Sequence, residues 1–193
     1  GCASIRTSTI NAGNLSRSGP TGIGLEIDGA SPAVDDCAIT GPNGGNIAVA
    51  TARWHSVYLR STSSTISNCI IASGTHAQPQ QVVRYDQTSL GPALIAPTIV
   101  NDTIEYASCT ACGGRTGLAI FGSPGALVSP MGIVRNNIIR HVGVGGVTNP
   151  VVELNVQSDL QCFDNNALGD PPARMGDIYL DEGKTPLATA VQL

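Results

Sequence analysis

The chain has 193 residues and a formal net charge of −4, with 12% charged and 4% aromatic residues, a length that holds one sizeable domain. This weakly acidic surface, with no cluster of Lys and Arg, carries no electrostatic footprint for nucleic acid. No apolar run reaches the roughly 18 residues of a bilayer-spanning helix, so no transmembrane segment is expected.

In chain order, six segments share one grammar. They are Ile5-Arg6-Thr7-Ser8-Thr9-Ile10, Val34-Asp35-Asp36-Cys37-Ala38-Ile39, Ile66-Ser67-Asn68-Cys69-Ile70-Ile71, Ile99-Val100-Asn101-Asp102-Thr103-Ile104, Val134-Arg135-Asn136-Asn137-Ile138-Ile139 and Phe163-Asp164-Asn165-Asn166-Ala167-Leu168. Each has an apolar residue, a free position, a pair drawn from Asn, Asp, Cys, Ser and Thr, another free position, and Ile or Leu. Their first residues fall at 5, 34, 66, 99, 134 and 163, a spacing of 29 to 35 residues that calls for a solenoid.

After each anchor comes a spacer rich in turn residues and then a second apolar run: Ile23–Ile27, Ile47–Ala50, Val82–Tyr85, Leu118–Phe121, Val151–Leu154 and Ile178–Leu180. Several of these runs alternate apolar with polar residues, the period of a strand with one buried face. Shorter runs, Val57-Tyr58-Leu59 and Ala93-Leu94-Ile95, precede the next anchors. Two or three short strands per repeat describe one rung of a parallel coil, whose unpaired backbone groups are satisfied by rungs stacked about 4.8 Å away. The expected fold is all-β: a right-handed, single-stranded parallel β-helix of about six rungs over residues 4–182. A tail over 183–193 opens a short helix at Thr185-Pro186, with Leu187 and Val191 on one face. The whole of 1–193 reads as a single domain and as a fragment of a longer chain.

The paired position has a structural explanation. An amide at an inward turn can bond its equivalents above and below, and Asn tolerates the left-handed backbone that such turns need. Asn68, Asn101, Asn136 and Asn165 are therefore expected to form an inward ladder, with Asp36 at the equivalent position. Cys37 and Cys69 share one place in the repeat, either as a disulfide or as stacked buried thiols. Cys109-Thr110-Ala111-Cys112 reads as a local disulfide, while Cys2 and Cys162 receive no assignment. The even set of six cysteines leans towards an oxidising compartment, hence an extracellular or cell-surface location. Two sequons, at Asn14 and Asn101, read as coincidental, the second because Asn101 is expected inward.

The recurrence of apolar-x-Asn-Asn-x-Ile resembles the rung repeat of right-handed parallel β-helix proteins, the superfamily typified by pectate lyases. Ser31-Pro32-Ala33-Val34 and Asn136-Asn137-Ile138-Ile139 resemble in particular secreted or surface β-helix proteins of bacteria. The resemblance implies the fold and leaves the activity open. Of the signatures that polygalacturonase-like members combine, only an Asp-Asp occurs here. Lyases of the superfamily use a basic residue to remove the proton beside the sugar carboxylate, with calcium or Arg neutralising that carboxylate. Under that alternative Arg60, Arg84 and Asp86 are the catalytic candidates, and Glu26 and Glu153 are expected to share a face.

The densest sugar-compatible stretch is Arg53, Trp54, His55 and Tyr58, where the chain's one Trp lies beside a cation and an imidazole. The histidines (55, 76 and 141) are scattered, and zinc would need a second matched pair beside the C-x-x-C, so no metal or other cofactor is expected. The favoured reading is a non-catalytic secreted or surface-displayed β-helix that acts as a scaffold or binding module towards polysaccharide or the cell envelope. The alternative is a polysaccharide-active enzyme, a uronic-acid lyase or glycosidase, with calcium entering only under the lyase form. A smooth wall of Thr, Ser and Val favours the first, and a carboxylate-lined groove the second.

Overall fold

The computed structural model describes residues 3–13, 21–43, 53–75, 80–87, 96–107, 115–122, 132–142, 148–153, 160–169, 179–181 and 185–187. Each anchor forms two three- to five-residue strands, or a two-residue second strand in the last copy, and a third strand follows. The first nine are β1 (Ser4–Arg6), β2 (Thr9–Asn11), β3 (Thr21–Asp28), β4 (Ala33–Asp35), β5 (Ala38–Thr40), β6 (Arg53–Arg60), β7 (Thr65–Ser67), β8 (Ile70–Ala72) and β9 (Gln81–Asp86). The next nine are β10 (Thr98–Val100), β11 (Thr103–Ala107), β12 (Arg115–Phe121), β13 (Ile133–Arg135), β14 (Ile138–Val142), β15 (Thr148–Glu153), β16 (Cys162–Asp164), β17 (Ala167–Leu168) and β18 (Tyr179–Asp181). A last strand, β19, covers Thr185–Leu187.

Every third strand joins the same sheet, giving orders β1-β4-β7-β10-β13-β16, β2-β5-β8-β11-β14-β17 and β3-β6-β9-β12-β15-β18-β19. Neighbours are parallel apart from β18 and β19, so the chain is an all-β parallel solenoid, and no helix occurs among the described residues. The expected C-terminal helix is replaced by β19, antiparallel to β18 with Leu180 opposite Pro186. Pro186 has no N–H to give, which suits the edge strand of a sheet as well as it suits a helix start. Val191 lies outside the described residues. So does the run Ile47–Ala50; the third strand after Ile39 is β6, built around Val57-Tyr58-Leu59.

Register places the anchor residues in columns. Ile5, Val34, Ile66, Ile99, Val134 and Phe163 are successive partners in the first sheet. Ile10, Ile39, Ile71, Ile104, Ile139 and Leu168 are successive partners in the second. The central members are buried completely or nearly so, and Ile5, Ile10, Phe163 and Leu168 at the ends pack against them half-buried. Leu25, Val57, Val83, Leu118 and Val151 supply the third wall. At Gly117 the walls meet so closely that a Cβ would lie 2.5 Å from Cγ2 of Ile139 and 2.8 Å from the Pro150 carbonyl.

The paired polar residues make the corner between the first two sheets, and they divide the work differently from the sequence expectation. The first of the pair is a left-handed residue: Thr7, Asp36, Asn68, Asn101, Asn136 and Asn165 have φ between 46° and 59° and are exposed. Asn and Asp reach this conformation at less cost than other non-glycine residues. The second of the pair points inward. The N–H of Cys69 donates to Oδ1 of Asp102 (2.7 Å), that of Asp102 to Oδ1 of Asn137 (2.9 Å), and that of Asn137 to Oδ1 of Asn166 (3.0 Å). Nδ2 of Asn137 donates forward to Oδ1 of Asn166 and back to the Ile99 carbonyl, both at 3.0 Å, and Nδ2 of Asn166 donates back to the Val134 carbonyl at 2.9 Å. The ladder therefore runs through residues 69, 102, 137 and 166, one position later than expected. Asn101 stands in solvent, so the inward placement that argued against its sequon does not hold.

Cys37 and Cys69 continue the inward column as free thiols, not as a disulfide. Their Sγ atoms face backbone carbonyls: Asp35 and Ile5 for Cys37 at 3.2 and 3.7 Å, Ser67 and Val34 for Cys69 at 3.1 and 3.9 Å. Burial pushes the Cys69 thiol up to about 12. Cys2, Cys109 and Cys112 lie outside the described residues.

The two halves of the corner are separable by mutation. Asn136→Gly is expected to leave stability nearly unchanged, because glycine takes positive φ freely. Asn137→Ala leaves the Asp102 N–H unanswered and removes the side-chain donor to the Ile99 carbonyl, and is expected to cost at least about 1–3 kcal/mol in denaturant unfolding. Equal losses at both positions contradict the division.

Candidate functional site

The sequence candidates gather on the third sheet. Residues of β6 alternate across it: Val57 and Leu59 join the core cluster, while Tyr58 and Arg60 face the opposite side. Register sets Tyr58 beside Arg84 of β9 and Arg60 beside Asp86. On the other side of β6, Glu26 partners Tyr58 and Asp28 partners Arg60.

Asp86 is the hub. Tyr58 donates through Oη to its Oδ2 at 2.7 Å, and Arg84 donates through Nε to its Oδ1 at 2.7 Å. Nη1 of Arg84 donates to Oε1 of Gln81 at 2.9 Å, and the guanidinium carbon sits 3.8 Å from the centroid of the Phe121 ring. This contact is within cation–π range. His55 stacks on Tyr58 with centroids 5.4 Å apart and planes inclined by 23°. Its Nδ1 lies 3.0 Å from the Gln81 carbonyl, which can only accept, so that nitrogen carries a proton. Trp54 and Tyr58 are buried, at 4% and 1% exposure, so neither ring is an open stacking platform.

Arg60 pairs with Asp28, and the pair is partly solvated. The hydrogen bond with Arg60 holds the Asp28 carboxyl below its ordinary value, and the same bond raises the Arg60 guanidinium. An exposed ion pair of this kind contributes little to stability.

Of the sequence candidates, Tyr58, His55, Arg84 and Asp86 are brought into one network, and Arg60 stands next to it in an ion pair of its own. The side chain of Arg53 lies outside the described residues, as does His76. Glu26 and Glu153 do not share a face. Glu26 is exposed beside Tyr58, whereas Glu153 lies opposite Ile120 on the core side and is buried. Phe121, Gln81 and Asp28 were not singled out from sequence. Phe121 partners Asp86 in the sheet, but aligning the runs by their anchors would have set Ala119 there, so only the sheet register reveals the pairing.

Chemically the network is closed. Both oxygens of Asp86 accept a bond, and Arg84 is held from two sides and from the face of a ring. Neither residue is set up to exchange a proton with a bound sugar without first breaking these contacts. Among the described residues no group of three or more His, Cys, Asp and Glu is placed to hold a metal ion.

The first two sheets present a different surface. Outward columns run Ser4, Ala33, Thr65, Thr98, Ile133, Cys162 and Thr9, Ala38, Ile70, Thr103, Ile138, Ala167. Ile70 and Ile138 are 56% and 45% exposed. Between these columns an open groove of about 270 Å³ is lined by Thr7, Ser8, Thr9, Asp36, Cys37, Ala38, Asn68 and Ile70.

Tyr58→Phe tests whether the network holds the third sheet together. Losing a hydrogen bond to a charged acceptor is expected to cost about 1.5–3 kcal/mol in urea unfolding, and a loss below about 0.5 kcal/mol contradicts the bond. Compared with protein-family models, with curated proteins and with solved structures, the chain matches none.

Proposed function

We propose that this chain is a non-catalytic β-helix module, secreted or displayed at a cell surface, that serves as a scaffold or binding element towards polysaccharide or the cell envelope. The observation that carries this reading is the closure of the Tyr58–Arg84–Asp86 network, which leaves Arg84 and Asp86 committed to each other and to Tyr58 and Gln81. The small and aliphatic outward columns of the other two sheets support it, with charges beside them paired across neighbouring rungs as Arg135–Asp164 and Arg140–Glu105. Within the pectate-lyase-like resemblance, this reading makes the chain one that keeps the coil without a proton-abstracting centre among the described residues. Stacked rungs give such a module a rigid face without cofactors.

The test is incubation with a panel of uronic-acid polysaccharides and neutral glycans, with and without calcium. The expected outcome is no new unsaturated or reducing ends, with retardation of the protein in gels containing the polysaccharide it binds. Cleavage abolished by Arg60→Ala or Arg84→Ala overturns the reading in favour of a lyase. Cleavage that both variants retain overturns it and places the chemistry elsewhere.

A further inference from the structure

The inward corner column has one member that breaks its pattern. Cys37, Cys69, Asn137 and Asn166 each turn a donor back to the carbonyl of the apolar anchor residue one rung earlier: Ile5, Val34, Ile99 and Val134. The term missing from this series is Asp102, for which the equivalent acceptor is Ile66. Asp102 is 1% exposed, and its Oδ1 accepts the Cys69 N–H. Its Oδ2 is buried and has no hydrogen-bond partner. A carboxylate has no donor to give a carbonyl, so an ionised Asp102 would hold a bare, buried oxygen in a place where each neighbour makes a bond.

We propose that Asp102 is built into the column as a neutral carboxylic acid whose Oδ2–H donates to the Ile66 carbonyl, making this corner a pH-sensitive latch in the middle of the stack. The protonated acid is the only form of this residue that completes the series, accepting from Cys69 and donating to Ile66 as Asn137 accepts from Asp102 and donates to Ile99. When the carboxyl ionises, its proton passes to solvent, the bond to Ile66 is lost, and a charge is left inside the coil.

The surroundings favour the neutral form. Burial pushes the carboxyl up to about 7; hydrogen bonds from the Cys69 and Val100 backbone pull it back in part, and the Asp35 charge pushes it further up. From the β7–β8 corner it faces the Cys69 thiol, which stays protonated in this range. From the β13–β14 corner it faces Asn137, which does not titrate. Arg135 of β13 is turned outward and paired with Asp164, and Glu105 of β11 is paired with Arg140. Because the folded value lies above the ordinary 3.8, the folded state binds the proton more tightly than the unfolded chain does. The stabilisation is therefore fully present below about pH 4 and is lost as pH rises towards 7.

The experiment compares the wild-type chain with Asp102→Asn in urea unfolding at a series of pH values between 5 and 8. The wild-type midpoint is expected to fall as pH rises. Asn supplies a permanent donor, so the variant's midpoint should hold nearly constant and exceed the wild type at pH 8. Parallel curves overturn the proposal, as does a variant less stable than the wild type at pH 8. A second measurement stands even where the variant folds poorly: the infrared carboxylic-acid stretch of the native protein in D2O. A buried protonated carboxyl band at pH 5 that fades by pH 8 supports the proposal, and its absence at pH 5 overturns it.

Discussion

Everything in this molecule depends on a corner that must be turned once in each copy of the repeat without leaving a buried backbone group unanswered. A strand of three residues ends, one residue takes a left-handed conformation, and the next strand departs in a new direction. The residue that bends the backbone faces solvent, and the one after it faces the core. That second residue lies where the preceding rung offers both an N–H and a carbonyl, so it is useful only if it can answer both. Asn does this fully, protonated Asp matches it, and Cys makes a weaker version with its thiol. The aliphatic columns on either side then bury their area, but they can stack only because the corner holds the rungs in register.

The same arithmetic of partners separates the two kinds of polar residue in the chain. Inside the corner, donors and acceptors run along the coil axis, each rung completing the next. On the outer side of the third sheet they run between β6 and β9, through Tyr58, Arg84 and Asp86, and close on themselves. A catalytic site needs groups held in place yet left with a lone pair or proton to offer the substrate. Here both carboxylate oxygens accept a bond and the guanidinium donates from Nε and Nη1, which is the behaviour of a brace.

The columns of core residues were legible in the sequence, because the spacing of Ile66, Ile99 and Val134 and of Ile71, Ile104 and Ile139 declares both faces of the corner at once. Which of the two paired residues points inward was misread, although the sequence held a clue. Cys occupies only the second place, at 37 and 69, and Cys is a buried residue with no liking for positive φ, whereas Asn136 and Asn137 alone fit either role. Pro186 misled for a physical reason: a residue without an N–H serves a helix start and a sheet edge equally. The partnership of Tyr58 with Arg84 was out of reach, since loops of different length precede β6 and β9 and only the sheet register aligns them. Asp102 looked like one more polar residue until its burial and its odd place in the series were visible together.

The measurement that bears most directly on the corner is a double-mutant cycle between Asn137 and Asn166, each changed to Ala singly and together and followed by denaturant unfolding. If the inward residues act as one chain of bonds, removing the second costs less once the first is gone, and the two changes are coupled by about 0.5–3 kcal/mol. Losses that simply add, within about 0.3 kcal/mol, would show that each amide serves its own rung alone and that the stack is held by its aliphatic columns without the ladder.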